Sequence, residues 1–345
     1  MAKTTPSAHA HRKDEHLAIA EKRFKTAASA GFDQVRLIHR GLPELDQNDI
    51  RMKSQFGDLS LDWPFYIEAM TGGSPRTGII NEQLARVAAA SGIAMAVGSQ
   101  SIAISEPEQL KTFKTVRENN PNGVIFANVG AGVSVAVAQQ AVEMIQANAL
   151  EVHINSVQEL IMPEGDRNFH WLARLTNLIN AVDVPVIVKE VGFGMSRETA
   201  VQLEQSGIKY VNISGRGGTN FAQIENERLV DHHLDYLSDW GQTTVESLLE
   251  LQKTPLHVAA SGGVRTPLDV IKSLVLGADA VGVAGYFLHE LMTNGETALL
   301  ALIQQWQQDL RKLYLLAGCQ TTAELRQAPY ILSSNLLSYR QQRQF

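Results

Sequence analysis

Four polar side chains crowd the end of one apolar run. The stretch LEVHINSVQELIMPEGD, residues 150–166, begins as a buried strand over Leu150–Asn155 and places His153, Asn155, Gln158 and Glu159 within seven positions. Side chains two apart on a strand share a face, so His153 and Asn155 project to the same side. Burying an imidazole, an amide and a carboxylate is costly unless each finds a partner. An anionic, oxygen-rich ligand and a hard cation suit this set. Glu159 lacks the multi-carboxylate spacing of an all-protein metal site, but Mg²⁺ is commonly held by one or two carboxylates together with substrate phosphates.

Lys189 closes a second apolar run, VPVIVKE. A lysine there is seldom structural unless it pairs, and Glu190 points to the other face. Its chemical reading is a positive charge beside an electron-accepting ring or a phosphate. The structural alternative is a buried ion pair with an acid elsewhere in the chain. Three other candidates carry less. His232 and His233 are adjacent and diverge, as a solvated loop does; His257 reads as a satisfied core histidine; the run Arg12-Lys13-Asp14-Glu15-His16 alone reads as a solvated helix start.

The elements that must position these groups alternate in type. Strands are expected at Phe65–Met70, Ile93–Val97, Val124–Val129, Leu150–Asn155, Val186–Val191, Tyr210–Ser214, Leu256–Ser261 and Ala280–Ala284. Helices are expected between them, at Asn81–Ala90, Val135–Ala147, Trp171–Ala181, Arg197–Gln205, Thr244–Leu251 and Pro267–Leu276. Thr266 as N-cap, Pro267 in the first turn and Gly277 beyond the end mark the last of these well. Alternation of apolar strands with helices implies a parallel sheet buried on both faces. Eight such units over about 220 residues match a (β/α)₈ TIM barrel better than a doubly wound sheet. Catalytic groups of such barrels sit at the C-terminal strand ends. Glycines and hydroxyls recur at those ends here. Gly262-Gly263 after the seventh strand and Ala284-Gly285 after the eighth fall where barrels bind phosphate against a helix N-terminus. Two long connections, Ser156–Phe169 and Gly215–Gln242, read as lids or substrate walls.

Residues 1–64 read as an N-terminal cover segment and 65–345 as the barrel. Within the cover, residues to about Asp14 are polar, and Glu15–Ala30 reads as a helix stopped by Gly31. Phe287–Ala317 reads as a long helix interrupted at Asn294-Gly295, and the polar tail Thr321–Phe345 has no assignable pattern. The chain has 345 residues, 44% hydrophobic and 19% charged, with a net charge of −6, which argues against nucleic acid or an anionic membrane as partner. Cys319 is the single cysteine, so no disulfide framework or cysteine metal site exists. No run approaches the roughly 20 apolar residues of a membrane span. No secretory h-region opens the chain. A cytoplasmic enzyme is the expectation.

An ordered set of motifs resembles the FMN-dependent type 2 isopentenyl-diphosphate isomerases. It comprises RKDEH at Arg12, AMTGG at Ala69, GSQ at Gly98, ANVGAG at Ala127, VHINSVQE at Val152, MPEGDRNF at Met162, VKEVGFGMS at Val188, ISGRGGTN at Ile213, SGGVR at Ser261 and AG at Ala284. The resemblance implies interconversion of isopentenyl and dimethylallyl diphosphate by a 1,3-allylic proton shift. It also implies reduced FMN, NADPH as reductant, Mg²⁺, and a homotetramer or homo-octamer. Carried over by position, it places Ala69, Met70, Thr71, Ser99, Asn128, Lys189, Ser214, Thr219, Gly262, Gly263, Arg265, Ala284 and Gly285 at the flavin. Arg12, Lys13, Ser99, Ser101, His153, Asn155 and Gln158 fall at the diphosphate substrate, and Glu159 at the metal. His153, Gln158 and Lys189 assist catalysis, Gln158 by positioning because an amide is a poor acid. Ser101 stands where the family often has arginine, so Arg12, Lys13, His153 and Mg²⁺ are left to carry the charge.

The rival of the same class is an FMN-dependent 2-hydroxy acid oxidase or dehydrogenase. Such enzymes need a histidine base after the sixth strand, where this chain has Arg216, and arginine cannot act as a base near neutrality. A flavin-binding protein without catalysis would leave His153, Gln158 and Glu159 unexplained.

Overall fold

The computed structural model describes residues 7–24, 29–229 and 231–345. Eight parallel strands close into a barrel: Phe65–Ile67, Ala94–Ala96, Ile125–Gly130, Ala149–Ile154, Val186–Glu190, Tyr210–Asn212, His257–Ala260 and Ala280–Val283. Each pairs with the next in sequence, and the eighth closes on the first through Val281 opposite Phe65. All eight expected strands are present, most of them a residue or more shorter at the ends.

Strand alternation separates two cores. Phe65, Ile67, Ile125, Val129, Val152 and Val188 face outward into the large core beneath the helices. Tyr66, Ala94, Phe126, Ala149, Ile187, Tyr210, Ala259 and Ala280 face inward and fill the barrel floor. Residues two further along must also face inward. In the longer strands and their ends these are Glu68, Asn128, Glu151, Lys189, Asn212 and Ser261, all buried. An apolar floor thus carries a polar layer, and the cavity opens above it.

The outer helices follow their sequence signals. Arg197–Gln205 and Thr244–Leu251 lie as expected. Pro267–Val275 starts on a Thr266 capping box. The helix expected at Asn81–Ala90 begins earlier, at Pro75, because Ser74 and Thr77 form a capping box there. The long C-terminal helix is broken where expected: Gly295, at φ 87°, separates Gly285–Asn294 from Glu296–Ala317. Phe65, Phe287 and Trp306 pack ring against ring and weld the second of these to the barrel.

Other expectations need correction. The N-terminal helix spans Ala8–Lys22, not Glu15–Ala30, because Ser7 caps it by accepting from Ala10 N. Gly31 (φ 89°) does not stop it; it opens a short 3₁₀ turn, Phe32–Gln34. Lys25–Ala28 lie outside the described residues. The tail is ordered: Tyr330–Leu332 pairs antiparallel with Val35–Leu37, and Ser334–Gln342 is helical. The connection after the fourth strand opens with a helix, Ser156–Ile161, so Gln158 and Glu159 stand on a helical turn rather than an irregular loop. His257 is not a core residue. Its side chain is 43% exposed at the start of the seventh strand, stacked on Tyr210 and 3.3 Å from Asp279. Among the described residues no helix is long and apolar enough to cross a membrane.

Candidate active site

A cavity of about 1040 Å³ occupies the mouth of the barrel. Every residue carried over to the flavin, the substrate or the metal lines it. Arg12 and Lys13 come from the N-terminal helix, and Ala69, Met70 and Thr71 follow the first strand. Ser99 and Ser101 follow the second strand, and Asn128 ends the inward row of the third. His153, Asn155, Gln158 and Glu159 come from the fourth strand and its helix, and Lys189 from the fifth. Ser214 and Thr219 follow the sixth, Gly262, Gly263 and Arg265 the seventh, Ala284 and Gly285 the eighth. His232 and His233 are absent from the lining, in keeping with their reading as loop residues: His233 pairs with Asp231, and His232 bonds the Asn226 carbonyl.

One side of the cavity is a cradle of backbone. Gly262 and Gly263 have φ of 99° and 71°, a region that favours glycine. A Cβ on Gly262 would collide with the Gly215 carbonyl, and one on Gly218 would lie 2.8 Å from Gly263 N. Beside them the helix Gly285–Asn294 points its N-terminus at the same space. Unpaired N–H groups and the helix dipole favour an anion there. This arrangement fits the phosphate of FMN.

The cavity floor is the polar layer. Lys189 is 5% exposed, and its Nζ stands 3.5 Å from Glu68 Oε1. The acid left unidentified in the sequence is therefore Glu68, and Lys189 both pairs with it and lines the cavity. Glu68 also accepts from Ala69 N, Tyr66 Oη and Asn212 Nδ2. Glu190, on the outer face, instead accepts from Val191 N and Phe193 N and anchors the turn behind the strand. Burial pushes its carboxyl up to about 8. His153 Nδ1 lies 2.9 Å from Asn128 Oδ1, whose amide nitrogen donates to Glu151. Burial, then Lys13 and Lys189, lowers the His153 imidazole to about 3. It is neutral near pH 7 in the unliganded protein. Nδ1–H donates to Asn128, and Nε2 is left as an acceptor. The charge expected of His153 at the diphosphate is thus not present in the unliganded protein.

The opposite wall is built by the turn Ser156–Ile161 and the N-terminal helix. Glu159 accepts from Asn155 Nδ2 at 2.9 Å and from Asp166 N at 2.7 Å, which fixes its carboxylate at the rim. Among the described residues no cluster of three or more metal-ligating side chains exists, so any cation held here needs oxygens from its ligand. A Mg²⁺ ion shared with phosphates fits one fixed carboxylate. Gln158 Nε2 donates to Glu225 Oε1 at 2.8 Å. His16 Nε2 stands 2.9 Å from that same oxygen, and Arg228 pairs with the other at 2.5 Å.

Sequence reasoning missed Glu225, and the chain near it carries no signal that would have found it. It also missed Glu68 and Glu151, although each lies two residues before a residue singled out, Met70 and His153. The RKDEH run is no free helix start. Arg12 reaches Glu164, Asp14 accepts from Ser74 Oγ at 2.6 Å, Glu15 pairs with Arg228, and Ser7 donates to Glu106. Burial, then Arg12, lowers the Lys13 ammonium to about 8.

Comparisons with known proteins agree with this geometry. The FMN-dependent dehydrogenase family matches residues 112–332. Isopentenyl-diphosphate delta-isomerase of Lacticaseibacillus casei (strain BL23) is 52% identical over 98% of each chain. The enzyme of that name from Staphylococcus aureus is 47% identical over 96% of each. Among solved structures, a flavocytochrome b2 variant with sulfite bound superposes with a TM-score of 0.71 at 18% identity, covering 94% of this chain and 84% of its own. A mandelate oxidase variant carrying an FMN adduct gives 0.62 at 17%, covering 92% of each. Those two show the fold alone; the relatives at about half identity decide the family. The chain belongs to the isopentenyl-diphosphate delta-isomerase family, built on the barrel of the FMN-dependent dehydrogenases.

Proposed function

We propose that this protein interconverts isopentenyl diphosphate and dimethylallyl diphosphate, with FMN in the glycine cradle and Mg²⁺ at Glu159. The observation that carries this reading is the meeting, in one cavity, of an anion cradle and a second, separate set of groups suited to a diphosphate. Family membership at about half identity over nearly the full chain supports it.

Moving the double bond requires protonating an unactivated alkene, which builds tertiary cation character and needs a positioned acid in a dry site. Reduced FMN, when bound, supplies that acid and the matching base. The chain's own residues do the rest. Gly262, Gly263, Arg265, Ala284 and Gly285 hold the cofactor's phosphate end. Ala69, Met70, Thr71, Ser99, Asn128, Ser214 and Thr219 shape the space for its ring, with the Lys189 ammonium below. Arg12, Lys13, Ser99, Ser101, His153 and Asn155 face the diphosphate. A diphosphate beside neutral His153 favours protonation of Nε2, so the imidazole gains its charge on binding. Gln158, held by Glu225, positions the isoprenoid carbons. The N-terminal helix, pinned by Asp14 and Glu15, covers the mouth and excludes water, so residues 1–64 act as a substrate cover over the barrel of 65–345.

NADPH is the proposed reductant, the cytoplasm the proposed site of action, and a homotetramer or homo-octamer the proposed assembly. The 2-hydroxy acid oxidase reading is not favoured. Arg216 stands after the sixth strand and bonds Asp239. An arginine there supplies no base for abstracting a proton from a hydroxy acid. The test is anaerobic. Dithionite- or NADPH-reduced protein with Mg²⁺ should convert isopentenyl diphosphate to dimethylallyl diphosphate. Absence of product, with lactate or glycolate reducing the oxidised flavin instead, would refute the proposal.

A further inference from the structure

The polar layer of the barrel holds two carboxyls against a single ammonium. Glu68, Glu151 and Lys189 are 2%, 0% and 5% exposed. Lys189 Nζ is 3.5 Å from Glu68 Oε1. Asn212 Nδ2 reaches both acids, 2.5 Å from Glu68 Oε2 and 3.5 Å from Glu151 Oε1. The space is made for them: on the eighth strand, a Cβ at Gly282 would fall on Glu68 Oε2. Two buried carboxyls that share one amide donor and one cation resist ionising together. We propose that Glu68 and Glu151 carry one negative charge between them and together form the counterion of Lys189 at the cavity floor.

The division within the pair follows from the hydrogen bonds. Glu68 accepts from Ala69 N at 2.7 Å, from Tyr66 Oη at 3.0 Å and from Asn212, besides pairing with Lys189. Burial alone would raise it, but Lys189 and these donors outweigh burial and hold it below the usual range. Glu151 keeps the proton: burial, then the Glu68 charge, raises it to about 8. Tyr66 and His153, which also face the layer, are neutral. Tyr66 is raised by burial, Glu68 and Glu151, and His153 is lowered by burial, Lys13 and Lys189. Both acids act through Lys189, which makes them positioning residues. The link from Lys189 to the flavin rests on the proposed FMN site, whereas the charge sharing does not.

Two readouts test this on the full-length protein. In the apoprotein at neutral pH, infrared spectroscopy with carboxyl-labelled glutamate follows the carbonyl bands of protonated carboxyls. Glu151 should give one and Glu190 another. Glu68→Gln should abolish the Glu151 band, because losing the neighbouring charge lets Glu151 ionise. A Glu151 band that survives Glu68→Gln overturns the sharing. In the holoenzyme, the FMN midpoint potential should stay near the unsubstituted value in Glu68→Gln and in Glu151→Gln, since either acid alone balances Lys189. The double variant strands the ammonium and should change the relative affinity for oxidised and reduced FMN tenfold or more, about 30 mV for a two-electron couple. A double variant whose shift only sums the singles overturns the counterion role. Protein that binds no FMN refutes the cofactor reading, and the infrared result then decides the pair by itself.

Discussion

Lys13 offers a direct test of the proposed diphosphate site. Burial, then the neighbouring Arg12, lowers its ammonium from 10.5 to about 8. The free protein therefore loses this charge just above neutrality, whereas a bound diphosphate opposes the loss and raises the group again. Binding must take up a proton above that point. For one group titrating at about 8, roughly nine-tenths is charged one pH unit below and roughly one-tenth one unit above. The Kd for isopentenyl diphosphate should weaken about tenfold across that interval, about 1.4 kcal/mol. Arginine keeps its charge throughout, so Lys13→Arg should bind with a shallower profile, its remaining slope being the proton that His153 takes up on binding. Titration calorimetry of the oxidised holoenzyme with Mg²⁺, in two buffers of different ionisation enthalpy, reads the affinity and the proton uptake together. A flat profile in the unsubstituted protein, or an equal slope in Lys13→Arg, would remove Lys13 from the diphosphate contact.

Three further outcomes follow from the geometry. Gly262→Ala forces a side chain into φ 99° against the Gly215 carbonyl; a strain of about 1–3 kcal/mol should weaken FMN retention roughly five- to a hundredfold, seen as flavin absorbance per protein after gel filtration. Glu159→Gln removes the fixed rim carboxylate, so the Mg²⁺ concentration for half-maximal activity should rise at least about tenfold, and an unchanged Mg²⁺ response would exclude Glu159 as ligand. His153, lowered to about 3 in the folded protein from its ordinary 6.5, is protonated first in the unfolded chain. Stability is therefore lost as pH falls from about 6.5 toward about 3, by at most about 1.4 kcal/mol per unit, less where cavity water screens the group. Denaturant melts of His153→Asn should show a shallower acid loss; an identical pH dependence would contradict the neutral assignment.

The barrel was legible because its signals are local and repeated. Apolar strands, caps such as Thr266-Pro267 and stops such as Gly295 each act within a few residues, and most helix and strand centres fell where they pointed. The candidate site's place was legible in part for the same reason: its residues sit at strand ends, and closing the barrel brings all strand ends together around one cavity. The misses are non-local. The N-terminal helix starts at Ala8 and lies across the mouth through Asp14–Ser74 and Glu15–Arg228, contacts between residues far apart in the chain. The tail is ordered by pairing with Val35–Leu37, far earlier in the chain, and its own pattern is too weak to announce that. Glu151 could have been found by applying the two-residue rule backward from His153.

The sequence alone determined the eightfold alternation, the glycine cradle and the family motifs, since each depends on short spacings that backbone geometry converts directly into position. Only the tertiary structure decided the charges. Whether His153 is a cation, which acid answers Lys189 and whether Glu151 holds a proton depend on burial and on groups brought from other strands. Electrostatic energy in a dry interior is set by those distances, and no spacing along the chain encodes them.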